Sequence, residues 1–144
     1  MLSAPPEPMH QMRFRCARGE LVVSVGVDPP SWLAPTGQAL VDLLDLASDW
    51  DSYGAWAVEP SHVCAAFQVL LLTMRHDTPA PAVVPTNRGH VQLEWHVGGI
   101  DLEIETLSMQ RLLVSFEDAS SGDEWEGEVV SDLTPLVEYI GQLS

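Results

Sequence analysis

From His90 to Glu128 apolar and polar residues alternate with a period of two, as strands do when one side is buried and the other faces solvent. In His90–Val97 one side carries Val91, Leu93, Trp95 and Val97, and the other carries His90, Gln92, Glu94 and His96. Gly98-Gly99 follows, a pair suited to a two-residue hairpin turn with positive φ at both positions. The hairpin sets Val97 against Ile100, His96 against Asp101, Leu93 against Ile104, Glu94 against Glu103 and Gln92 against Glu105. Apolar then meets apolar throughout, and a slip by one residue would turn the apolar set toward water. A third strand over Leu112–Glu117 buries Leu112, Val114 and Phe116. A fourth over Glu124–Val129 carries Glu124, Glu126 and Glu128 on one side.

Upstream the period changes. Leu21–Val27 reads as a strand ended by Asp28-Pro29-Pro30, with Trp32 in the loop that follows. Thr36 is the expected N-cap of a first helix with Leu40, Leu43, Leu44 and Ala47 along one stripe. Pro60 opens a second helix that aligns Val63, Ala66, Phe67, Leu70, Leu71 and Met74. A short strand at Val83-Val84 leads through Asn87-Arg88-Gly89 into the alternating region. A last helix begins around Thr134-Pro135 and buries Leu133, Leu136, Val137 and Ile140. The pattern predicts an α+β fold, an antiparallel β-meander of about four to six strands with helices packed on one face. Residues 1–19, with three prolines and Arg13, Arg15 and Arg18, read as a flexible arm, and 20–144 as a single α+β domain.

Charge sharpens the meaning of the alternation. The chain has 144 residues, 21 acids, six arginines and no lysine, for a formal charge of −15. Glu94, Asp101, Glu103, Glu105, Glu117, Glu124, Glu126 and Glu128 all fall on the polar side of the expected sheet. Such a balance disfavours direct nucleic-acid binding, because phosphate backbones attract cationic surfaces. Without lysine there is neither a Walker-type phosphate loop nor Schiff-base chemistry. Cys16 and Cys64 lack metal-type spacing and read as thiols, Cys64 as a small buried residue. No stretch is long and apolar enough for a membrane span, the first residues do not resemble a secretion signal, and a cytoplasmic location is expected.

Between the first two helices stands Asp49-Trp50-Asp51-Ser52-Tyr53-Gly54-Ala55-Trp56. Its aromatics fit either a corner that locks the helices or an exposed recognition loop rimmed by Asp49 and Asp51. With Val84-Pro85-Thr86, Gly89 and Gln92-Leu93-Glu94-Trp95, this segment resembles a group of small uncharacterised bacterial proteins that carry W-D-G/S-Y-G-A and Q-L-E-W motifs. The likeness covers residues 36 to 130 and implies a bacterial origin but no activity. Ser52, His62 and Asp51 supply the residue types of a Ser-His-Asp triad without the surrounding motif, and His62 at a helix start is expected to face solvent.

The clearest chemical possibility is an N/O metal site, with His96 and Asp101 as cross-strand neighbours and Glu94 and Glu103 as the next pair. His90 lies three pairs away. No cofactor is otherwise implied. The leading expectation is a non-enzymatic binding protein, like an antitoxin, immunity protein or accessory subunit. It would dock a basic protein partner through Glu94, His96, Asp101, Glu103, Glu105, Glu124, Glu126 and Glu128, with Trp56 at the rim. A metal-dependent enzyme and a nucleic-acid-mimicking inhibitor are the alternatives. In a larger assembly, Trp32, Trp56 or Trp125 would serve as exposed anchors.

Overall fold

A computed structural model describes residues 9–144 of the chain. Two strands, β1 (His10–Cys16) and β2 (Gly19–Val25), form an antiparallel hairpin of their own. Helices α1 (Leu33–Asp42) and α2 (Pro60–Thr73) come next, with a short 3-10 turn at Leu43–Asp45 between them. Five strands follow: β3 (Ala82–Pro85), β4 (Val91–Val97), β5 (Ile100–Thr106), β6 (Arg111–Asp118) and β7 (Glu124–Val130). They pair in sequence order as an antiparallel meander, and α3 (Thr134–Gly141) ends the chain.

The meander takes the register set by its apolar stripe. Leu93 pairs with Ile104, Glu94 with Glu103, Trp95 with Leu102 and His96 with Asp101. Gly98 and Gly99 have φ of 60° and 83°, the two left-handed residues that a tight primed turn requires. The stripe is buried across the sheet: Val91, Leu93, Leu102, Ile104 and Val114 have no exposed surface, and Trp95 donates its indole N–H to the Pro79 carbonyl at 2.8 Å. All three helices contribute to the same core, α1 through Leu40 and Val41, α2 through Val63, Ala66 and Leu70, and α3 through Leu136 and Ile140. At the β6 end, Tyr139 of α3 stacks on Phe116 at 4.4 Å between ring centroids.

Several local expectations change. Residues 10–16, assigned to the arm, are strand β1. Met12, Phe14 and Cys16 alternate with Arg13 and Arg15, so the arginines occupy the outward side of a strand whose Phe14 is buried against Phe67. The rest of the described arm is the hairpin turn and the start of β2; residues 1–8 lie outside the described residues. Helix α1 begins three residues before Thr36, because Pro35 sits in its first turn, where the missing N–H has no helical partner to lose. Trp32 is buried, with its indole N–H on the Arg75 carbonyl at 3.0 Å, and is no exposed anchor. His62 is buried rather than solvent-facing, because the first turn of α2 packs over the end of β5, where Thr106 bonds it. The strand expected over Leu21–Val27 runs instead over Gly19–Val25 as β2, and it does not join the main sheet.

Candidate acidic interface

The strand pairing arranges the outward residues in three rows across the sheet. One row runs His96, Asp101, Glu117, Glu124; the next runs Ala82, Glu94, Glu103, Ser115, Glu126; the third runs Val84, Gln92, Glu105, Leu113, Glu128. All eight expected carboxylates therefore share one face, opposite the core. Glu94, Glu103 and Glu105 stand half-buried among their neighbours, and the other five are exposed.

Cations reach only part of this face. Arg111 grips Glu128 with two nitrogens, at 2.7 Å and 3.2 Å. Glu105 faces the Arg88 guanidinium at 3.6 Å and His90 Nδ1 at 2.8 Å. His96 Nδ1 lies 2.6 Å from Asp101 and its Nε2 lies 3.7 Å from Glu94. The hydrogen bond to Asp101 is the main reason the His96 pKa is raised above its ordinary 6.5. Gln92 donates to Glu94 at 2.7 Å. Among the described residues Glu103, Glu117, Glu124 and Glu126 have no cationic partner within ion-pair distance.

Of the four metal-ligand candidates, Glu94, His96 and Glu103 bring one ligand atom each within 4.8 Å of one another. Asp101 instead holds the far ring nitrogen of His96, the place an orienting carboxylate takes behind a ligating histidine. Ser52, His62 and Asp51 make no hydrogen bond with one another. Asp51 accepts from the N–H groups of Tyr53 and Ala55, at 2.9 and 3.1 Å.

The aromatic segment divides between its two readings. Trp50 is half-buried and donates its indole N–H to the Trp56 carbonyl at 3.2 Å. Tyr53 and Trp56 point outward, 92% and 65% exposed. Asp49 accepts from Gly54 N–H at 2.7 Å and donates its own N–H to the Ala55 carbonyl. Asp49 and Ser52 both have φ of 65°, a conformation that costs energy for residues with a Cβ and that these bonds maintain. The loop is tied to the sheet through Trp56 N–H, which donates to Asn87 in the β3–β4 turn at 2.9 Å. That turn also carries Arg88 and leads to His90, the two partners of Glu105, so Trp56 stands near the Glu105 end of the acidic face.

Sequence reasoning missed the joint beneath this corner. His62 and His90 stack with ring centroids 4.2 Å apart, and His62 Nδ1 meets Thr106 Oγ1 at 2.7 Å. Burial is the first cause, and the His90 charge the second, that lower the His62 pKa. A threonine continuing the core-facing series Leu102, Ile104 was the signal available. No family model, curated protein or solved structure matches the chain.

Proposed function

We propose that this protein is a non-enzymatic acidic binding module, like an antitoxin, immunity protein or accessory subunit, that docks a basic protein partner through the outer face of its meander. The observation that carries this reading is the group of carboxylates, Glu103, Glu117, Glu124 and Glu126, which have no ion-pair partner among the described residues and stand in adjacent rows of one sheet. Keeping like charges opposite one another, as at Glu94 and Glu103, costs the isolated fold stability, and a cationic partner would recover it. Trp56 supplies an aromatic anchor on a preorganised loop at the edge of that face, where arginine side chains bind well. A bacterial origin and a cytoplasmic site of action belong to the same proposal.

The test is to isolate the partner at low salt and measure its association with the wild type and with Glu94→Gln/Glu103→Gln. The reading expects binding to weaken in the double variant and as salt shortens the Debye length toward about 8 Å and below. Association unchanged by both would remove the face from the interface. If DNA competes for the same partner surface, the face is acting as a mimic of nucleic-acid phosphates.

The convergence of Glu94, His96 and Glu103 favours a second reading, a metal-dependent enzyme with zinc or manganese held there and Asp101 orienting His96. Metal that stays bound through purification and is lost in His96→Ala would support it; stoichiometric metal retained by that variant would exclude these ligands.

A further inference from the structure

The two sheets have four outer edges, and three are closed against further pairing. β3 is four residues long and ends in Pro85. β7 carries Glu124, Glu126 and Glu128. The edge of β1 is met by the α1 region: Gln38 donates to the Arg15 carbonyl at 2.8 Å, and Asp45 accepts from the N–H groups of Ala17 and Arg18 in the turn that follows. Short strands, prolines, charges and covering elements are the usual devices that keep an edge from recruiting another strand.

β2 has only one charge, Glu20 near its start, which is paired with Arg13 and Arg15 of β1. Its run Leu21-Val22-Val23-Ser24-Val25 holds no charge, no proline and no break in its ladder to β1, and among the described residues its outer side meets no other strand. Beside it lies a mainly apolar groove whose other wall is α2, formed by Cys64, Phe67, Gln68, Leu71 and Leu72, with Met109 also lining it. α2 buries one side in the core and still exposes 42% of Leu71 and 61% of Leu72 on the other, the pattern of a helix apolar nearly all round. No charged residue lines the groove.

We infer that a second copy of this chain occupies this edge, pairing β2 with its counterpart antiparallel about a two-fold axis at Val23, so that the two hairpins form one four-stranded sheet. The run is self-complementary about that point. Leu21 meets Val25, Val22 meets Ser24, Val23 meets itself, and Glu20 falls opposite Gly26, so no acid faces an acid. Core-side residues pair with core-side residues, as register demands. That self-complementarity names the occupant; the net charge of −15 opposes contact over the acidic faces, and at this groove, which no charged residue lines, the opposition is least. The arrangement does not depend on the acidic-face proposal.

Sedimentation equilibrium of the full chain, from about 1 to about 200 µM, reads the assembly directly. The expected result is a reversible dimer, with β2 amide hydrogen exchange slowing as the dimer fills. Raising salt to about 0.5 M should leave the dimer intact or tighten it, because repulsion between the copies is screened. Val22→Lys and Leu72→Glu alter residues that the single chain exposes, so each should keep its circular dichroism and melting profile while the double variant self-associates at least tenfold more weakly. A monomer across the whole range overturns the proposal and leaves the edge to a strand from a different protein. So does a dimer that the double variant retains and that leaves β2 exchange unchanged.

Discussion

The meander and the hairpin are both antiparallel and both turn one side toward the helices, but they depend on that core differently. In the meander each of β4, β5 and β6 carries a complete apolar stripe, and each stripe is buried on its own account. The hairpin buries Phe14 and Val25 and leaves Met12, Leu21 and Val23 half-buried at the margin. A two-stranded ribbon alone is marginal in water, so this one is held by what it leans on. Its main anchor is Phe14, whose ring lies over Gly37 of α1 where any Cβ would come within 2.5 Å, and which packs on Phe67 of α2. The contrast teaches that a strand can be fixed by its own pattern or by the surface available to it.

Removing Trp95 should break the first kind of dependence. Trp95→Ala empties a fully buried site and orphans the Pro79 carbonyl, for a loss of about 3–5 kcal/mol in denaturant unfolding, spread over the whole domain. Gly37→Val tests the second kind. Displacing the Phe14 ring should cost about 1–3 kcal/mol, with hydrogen exchange accelerating in β1 and β2 while the amides of β4 and β5 keep their protection. Equal acceleration in both sheets would erase the distinction.

Charge gives a smaller contrast of opposite sign. Glu94→Gln/Glu103→Gln should stabilise the isolated protein by about 0.2–1 kcal/mol, since it removes a repulsive pair. On the hairpin, Glu20→Gln removes the shared partner of Arg13 and Arg15 and should destabilise by at most about 1 kcal/mol. Melting temperatures at low and high salt separate the two, both effects shrinking as salt rises.

The weakest expected effect is a dependence on pH carried by one histidine of α2 and one of the meander. His62 has a folded pKa below its ordinary 6.5, so the unfolded chain binds the proton more readily. Its contribution is fully present above 6.5 and is lost as pH falls from there toward the folded value. His96 runs the other way: its raised pKa gives a contribution present below 6.5 and lost as pH rises through the folded value. Stability curves of His62→Gln and His96→Gln should therefore tilt in opposite directions relative to the wild type. Parallel curves would mean that neither histidine couples to folding.

The same contrast marks how far the sequence could be read. The meander, its register and the membership of its acidic face follow from one period-two stripe and a Gly-Gly turn, both local signals. The hairpin was hidden because proline and arginine content near the start outweighed the alternation Met12, Phe14, Cys16, and because its anchors, Gly37 and Phe67, are distant in sequence. The burial of His62 rests on Thr106, 44 residues away, and no periodicity reports that encounter. The aromatic loop left two readings open because composition does not say which rings turn outward; that is decided by hydrogen bonds that the Asp49 and Asp51 carboxylates accept from backbone N–H groups a few residues on.

Ser52, held at φ of 65° in that loop, restricts the substitutions that this backbone can accept. Glycine enters there without strain, asparagine and aspartate enter at little expense, and valine, isoleucine or threonine are refused before any question of binding arises. The side chain at residue 52 is therefore limited by the shape of the backbone, whereas those of Tyr53 and Trp56, turned outward, are limited by what the loop touches.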